Sequence, residues 1–149
     1  MARSIVFSVS VGTGCYRHIQ ISVDATLYDL HKAILDAFDF DDDHMHAFFM
    51  NNRAWDRYES YVCPGADLDE ALGYSTDVAL SEFYFTKGYK FLYIFDFGDD
   101  WRFQVKPLRY VNEPVKYPTV LKSIGQVSQY GDDYEDDYED DYEDDDDDE

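Results

Sequence analysis

The run Phe91-Leu92-Tyr93-Ile94-Phe95-Asp96-Phe97-Gly98-Asp99-Asp100-Trp101, continued by β-rich residues as far as Arg109, decides the fold. Two stretches of aromatic and branched side chains flank a short group of turn formers, the pattern of an antiparallel hairpin. Glycine reaches backbone conformations that other residues resist, and aspartate carboxylates accept hydrogen bonds from amides just ahead of them. On this reading Gly98 permits the turn, Phe97 and Trp101 pack from either side, and Pro107, which lacks an N–H, belongs at the end or edge of the second strand. The tripeptide Asp96-Phe97-Gly98 matches the metal-binding motif of protein kinases by coincidence, because the chain has neither a His-Arg-Asp loop nor a glycine-rich loop ahead of a strand lysine.

Working outward, Ile5-Val6-Phe7-Ser8-Val9-Ser10-Val11 alternates at period two, and Gly12-Thr13-Gly14 separates it from a second β-rich run over residues 15–23, predicting another hairpin. Asp24 to Thr26 offer capping side chains ahead of Leu27, Leu30, Ile34, Leu35 and Phe38, whose spacing makes one apolar helix face over residues 27–38. Residues 44–50 read as a third strand, with His44 and His46 on one face, and residues 53–73 as mostly loop. Residues 77–83 suit a short helix capped by Asp or Thr. Val120, Leu121 and Ile124 form a last apolar segment able to pack on the domain. This order of elements predicts an α+β domain over residues 1–128, with an antiparallel or mixed sheet on one main helix in a β-grasp-like arrangement.

Charge divides the chain unevenly. Its 149 residues carry a net charge of −21, and 15 of the 33 acids fall in residues 132–149, so that residues 1–131 hold 18 acids against 12 bases. That balance argues against direct binding to nucleic acid, whose phosphates demand a cationic surface. From Tyr130 the chain repeats Tyr-Gly-Asp-Asp and then Tyr-Glu-Asp-Asp. Carboxylates without apolar partners cannot offset the entropy of ordering a backbone, so residues 129–149 are expected to be a disordered tail. No stretch is long and apolar enough for a membrane helix, and Cys15 and Cys63 lack a CxxC spacing, which together suggest a cytoplasmic chain with reduced thiols.

Leu27-Tyr28-Asp29-Leu30-His31, His44-Met45-His46-Ala47-Phe48 and the Tyr-x-x-Asp-Phe-Gly-Asp-x-Trp run from Tyr93 to Trp101 occur in an order that resembles the plasmid pRiA open-reading-frame-three-like family, also known as insertion-element passenger TnpR family proteins. The resemblance spans residues 5–117 and implies a mobile-element context without an established reaction. It covers Arg17, the one residue of Cys15-Tyr16-Arg17-His18 that agrees in type with the family's Trp-Arg-Arg segment. The chain has Phe103 where the family commonly has a histidine, and Tyr117-Pro118 is not followed by the family's Cys-Gly-Gly segment.

Two functions from different classes follow. The first is a non-enzymatic interaction module whose acidic tail binds a basic protein surface, such as that of a nucleic-acid-binding protein, with no cofactor. The second is a metal-dependent enzyme. Imidazole and carboxylate suit zinc, iron or manganese, so His31, His44 and His46 with Asp96, Asp99 or Asp100 could hold a divalent metal, the open set being His31, His46 and Asp96. Trp101 and Arg17 complete the candidate site.

Overall fold

The computed structural model describes residues 2–56, 59–62, 74–87 and 89–129. The expected disorder of the acidic repeat and the state of Cys63 lie outside these residues. β1 (Ser4–Ser10) and β2 (Tyr16–Ser22) form the predicted hairpin. Its turn uses Gly12 and Gly14 at φ 62° and 75°, and Val11 N–H donates to the Cys15 carbonyl at 3.0 Å. Cys15 is a buried free thiol whose pKa burial pushes up.

α1 (Leu27–Phe38) starts at a capping box, in which Asp29 N–H donates to Thr26 Oγ1 and Thr26 N–H to the Asp29 carboxylate. It ends at Asp39, in the left-handed conformation with φ 62°. β3 (His46–Phe49), β4 (Ser60–Val62), β5 (Tyr74–Ser75), β6 (Phe91–Phe95), β7 (Trp101–Val111) and β8 (Thr119–Ile124) complete an eight-stranded sheet in the order β5-β4-β3-β6-β7-β1-β2-β8. Only β4 and β5 pair in parallel, so the sheet is mixed and the domain is α+β. No helix among the described residues is long and apolar enough to cross a membrane.

The helix covers one sheet face. Leu27, Leu30, Ile34 and Phe38 meet Ile5, Phe7, Val9, Ile19, Ile21, Phe48, Phe91 and Phe103 in the main core. On the opposite face Ala47, Phe49, Val62 and Ile94 form a smaller cluster, closed by Ala54 and Phe97. Trp55 stands edge-on to Phe49 and Phe97 there, at 5.4 and 5.0 Å. Phe97 and Trp101 thus serve opposite faces of the sheet, as the hairpin reading expects.

Several local expectations are corrected. Pro107 is the exception and keeps to its expected place: it lies in β7 beyond the end of the ladder with β6, which stops at Val105, so it pairs with β1 alone and its other side is an edge. A bulge lies beside it: Phe7 pairs with Pro107 and Val6 with Arg109, so Leu108 is extra. Gly98 is not the residue in left-handed backbone. Asp96 and Asp100 are, at φ 65° and 59°, and aspartate tolerates this region because its carboxylate bonds locally. Within residues 53–73, Ser60–Val62 is strand β4; three residues are too few to show a period, and pairing with β3 decides their conformation. The helix expected at 77–83 is a single 3₁₀ turn, Leu80–Glu82, behind an Ala79 that provides no side-chain cap. Leu80 and Ser81 donate to the carbonyls of Ala25 and Val23, tying this segment to the start of α1 instead of to a helix of its own. His44 precedes β3, so it does not share a strand face with His46.

The final apolar segment joins the sheet by its backbone. β8 pairs with β2 while Val120, Leu121 and Ile124 stay exposed. Beyond it, Gln129 reaches back: Asp41 N–H donates to Gln129 Oε1 at 2.7 Å, and Gln129 Nε2 donates to the Asp41 carbonyl at 3.1 Å.

The turn geometry sets an expected outcome. A Cβ on Gly98 would meet Asp96 Oδ1 at an ordinary 3.6 Å, so Gly98→Ala should change stability by no more than about 0.5 kcal/mol. Half-buried Trp101 stands edge-on to Phe40 at 4.9 Å, and Trp101→Ala should cost about 3 kcal/mol. Urea unfolding of both variants checks the contrast.

Candidate functional site

The family-like segments converge where α1 crosses β3 and β6. Position 31 is on the buried side of α1, and position 46 opens β3 with its side chain toward the helix, like Phe48 two residues on. The imidazoles of His31 and His46 lie face to face, with ring centroids 3.6 Å apart and planes 10° from parallel. His31 Nδ1 shares a hydrogen bond of 2.5 Å with the Tyr93 hydroxyl from β6, and His46 Nε2 one of 3.3 Å with the Thr76 hydroxyl. Tyr28 packs against both rings. The pair is almost sealed, with relative exposures of 0% and 2%.

Burial determines the protonation of the pair. It lowers His31 to about 4, despite Asp42 pulling the other way. It lowers His46 to about 3, helped by the neighbouring His31. Both rings are therefore neutral at pH 7, because a charged imidazole would lose its hydration in this buried site. Asp42 Oδ1 lies 3.2 Å from His31 Nε2, but the alignment is not that of a hydrogen bond, so this buried nitrogen has none. Burial would raise the Asp42 carboxyl, but His31 and Lys32, whose Nζ is 3.1 Å from Asp42 Oδ2, together hold it below its usual range.

Asp96 takes no part in this pair. Its carboxylate faces His44, with Oδ2 3.4 Å from Nε2, and Oδ1 accepts the Asp99 N–H at 3.2 Å. Its own N–H donates to the Met45 carbonyl at 2.8 Å, and its carbonyl accepts from Asp100 N–H at 2.6 Å. Asp99 lies exposed in the turn, and Asp100 pairs with Arg102 at its surface. Trp101 packs on Phe40 and Phe103. Arg17 is buried beneath the far end of α1. Its Nε donates to the Ala37 carbonyl at 3.0 Å, its Nη1 donates to the carbonyls of Tyr16 and Ile124, and its guanidinium lies 4.5 Å from the Phe38 ring centre. α1 has no basic residue in its last turn, so a cation from β2 serves its C-terminal carbonyls.

The structure thus brings His31 to His46, and Asp96 to His44, as two separate groups. Among the described residues no three His, Cys, Asp or Glu side chains are grouped to hold a metal ion. The stacked rings explain part of this: nitrogen lone pairs lie in the ring planes, and parallel planes do not aim two of them at one ion. The helix N-terminus is also closed. Leu27 and Tyr28 N–H donate to the carbonyls of Val78 and Thr76, so these amides face protein and not a ligand. Sequence reasoning passed over Tyr93, Asp42, Thr76 and Gln129 as partners. Tyr93 heads the aspartate-rich run, a signal that was available; Thr76 carried none.

The model of the plasmid pRiA4b ORF-3-like protein family matches residues 9–146, from the first hairpin into the acidic repeat. The chain belongs to this family. No curated protein sequence matches it. It is similar to a crystal structure of a protein of unknown function from Methanosarcina mazei Go1, at 28% identity and a TM-score of 0.60, over 82% of this chain and 68% of that one. The likeness to that structure agrees with the sheet-and-helix fold.

Acid should unfold the domain through this pair. Both folded pKa values lie below the ordinary histidine value of 6.5, so the unfolded chain binds more protons and stability falls as pH drops from about 6.5 towards 4. At pH 5 each histidine should have withdrawn on the order of 2 kcal/mol relative to pH 7. Urea unfolding at the two pH values measures the loss, and His46→Phe should flatten it.

Proposed function

We propose that this chain is a non-enzymatic interaction module of a mobile-element-associated family, and that its acidic residues 132–149 engage a basic protein surface such as that of a nucleic-acid-binding protein. One observation carries the reading: the side chains best suited to chemistry are engaged with one another inside the fold. His31 and His46 are stacked, neutral and buried, and Asp96 is occupied by His44 and its own turn. A general base must reach the proton it takes, and these imidazoles lie behind Tyr28 and Tyr93. The outstanding feature is then electrostatic: fifteen carboxylates in residues 132–149, punctuated by Tyr134, Tyr138 and Tyr142. Such density repels nucleic acid and attracts Lys and Arg patches, and exposed tyrosine rings add cation–π contacts of about 0.5–1 kcal/mol each.

Repeating Tyr-Glu-Asp-Asp units are interchangeable, so affinity should depend on charge density and not on one epitope. Removing units one at a time should weaken capture of basic partners from lysate in graded steps, and raising salt from about 0.05 to 0.5 M should abolish most of it, because the Debye length shrinks from roughly 14 to 4 Å. Recovery of the same partners by a chain whose residues 132–149 carry amides in place of carboxylates would assign binding to the folded body and refute the proposal. The module needs no cofactor. Elemental analysis of dialysed protein should find no stoichiometric transition metal, whereas a metal lost in both His46→Ala and Asp96→Ala would replace the module with a metal-dependent enzyme.

A further inference from the structure

The face of the sheet opposite α1 is covered only in part. Over β3 and β6 it carries the Trp55 and Phe97 cluster. Over β7, β1, β2 and β8, no helix among the described residues lies on it, although Val6 and Ser4 on this side are buried and Ser4 Oγ donates to the Glu113 carbonyl at its margin. Register identifies what this half displays, since directly paired residues point to the same side. Ser8 pairs with both Lys106 and His18, and His18 pairs with Lys122, so Lys106, Ser8, His18 and Lys122 form one row across four strands. The next row is Arg109, Val6, Gln20 and Thr119. None of the outward positions of these four strands is Asp or Glu. The carboxylates of the body are concentrated elsewhere, at Asp29 and Asp36 on α1 and at residues 39 and 41–43 just after it.

We propose that residues 132–149 dock in cis on this outward face, along the row of Lys106, His18 and Lys122. The inference rests on the proposed function, because it uses the same attraction, and it adds a first occupant for the acidic segment on the chain itself. Charge complementarity is the main argument: a face without a carboxylate, in a chain of net charge −21, meets a segment without a base. His18 independently reports the grouping, because its pKa is lowered first by burial and then by Lys122, Arg109 and Lys106. Dimensions agree as well. The row spans three strand spacings, about 14 Å, and one extended four-residue unit spans about 13 Å, so carboxylates of successive units can reach both lysines. Tyr16 stands beside His18 with Lys122 over its ring, which gives the tyrosines of the repeat an aromatic neighbour.

Reach is sufficient. The chain is held at Gln129 by Asp41. The 20 residues after it extend up to about 66 Å, against a body of roughly 36 Å across. Docking of this kind makes the acidic segment self-screening: a partner must present more positive charge than Lys106, Arg109 and Lys122 do in order to displace it. Selectivity for strongly basic partners follows from that threshold.

The test compares amide spectra of the full chain with those of a full-length variant in which every Asp and Glu of residues 132–149 is replaced by Asn and Gln. Shift differences should fall on Ser8, His18, Lys106 and Lys122, stay unchanged when the protein is diluted, and vanish in 0.5 M salt (about a 4 Å Debye length) or in Lys106→Gln/Lys122→Gln. The imidazole pKa of His18 should drop in the neutralised variant as the docked carboxylates are lost. Differences that fade on dilution would assign the contact to a second copy and overturn docking in cis. A face that ignores the segment but shifts with an oligothymidylate would overturn it in favour of a nucleic acid. If the face is silent while a Lys/Arg-only peptide still binds the segment, this inference falls and the proposed function stands; if neither responds, both fall.

Discussion

The contact of His31 on His46 is the joint of the domain. α1 has one long apolar stripe, but a helix lying on a flat aromatic sheet can slide or rotate by a fraction of a turn with little change in buried area. The stack, with the Tyr93 hydroxyl on one ring and the Thr76 hydroxyl on the other, removes that freedom, because hydrogen bonds and parallel rings are satisfied in one register only. Thr76 also accepts the Tyr28 N–H through its carbonyl and donates its own N–H to Val62. One polar group therefore ties helix, β3, β4 and β6 together. At the other end Arg17 performs the corresponding task, binding the last turn of α1 to β2 and β8.

Such a joint works only while it is dry and uncharged. A protonated ring would be a charge in a site with almost no solvent contact, and two protonated rings 3.6 Å apart would also repel, several times more strongly than in water. The same feature that fixes the helix therefore makes the fold sensitive to acid, and it removes both imidazoles from proton transfer at the surface. Asp42 sits where it favours a proton on His31, yet burial outweighs it. The pair is thus a polar element of the core.

Elements with a strong local signal were legible in the sequence. The first hairpin, α1 with a cap among Asp24 to Thr26, and the paired runs around residues 96–100 are legible from alternation, helical spacing and turn residues, and the structure has them, with Thr26 as the cap. What escaped was decided at long range. β4 is three residues long and exists because β3 offers it a partner, and the bulge at Leu108 beside Pro107 shows only in the pairing of β7 with β1. The turn was legible as a turn, but not which of its residues would adopt positive φ: Asp96 and Asp100 carry it, each through a local hydrogen bond that a propensity for glycine does not anticipate. Among the candidate residues, the sequence groups His31, His46 and Asp96 as one open set, whereas the structure stacks His31 on His46 and sets Asp96 against His44, which precedes β3.

Separation of charge follows from the same architecture. A helix on one side of a sheet demands apolar side chains on that face of every strand, so the polar residues of β1, β2, β7 and β8 collect on the other. In a chain this acidic an uncharged or mixed face would be unremarkable, but the outward positions hold lysine, arginine and histidine and no carboxylate. Excess positive charge on one face of an acidic chain raises the field there, and the densest counter-charge within reach is the chain's own residues 132–149. On the docking proposed above, covalent attachment to the body would give that segment a local concentration on the order of millimolar at the face, far above that of a dilute partner. Any ligand of the face, or of the segment, must therefore bind against this internal competitor, and the fold sets that threshold through the placement of three basic side chains.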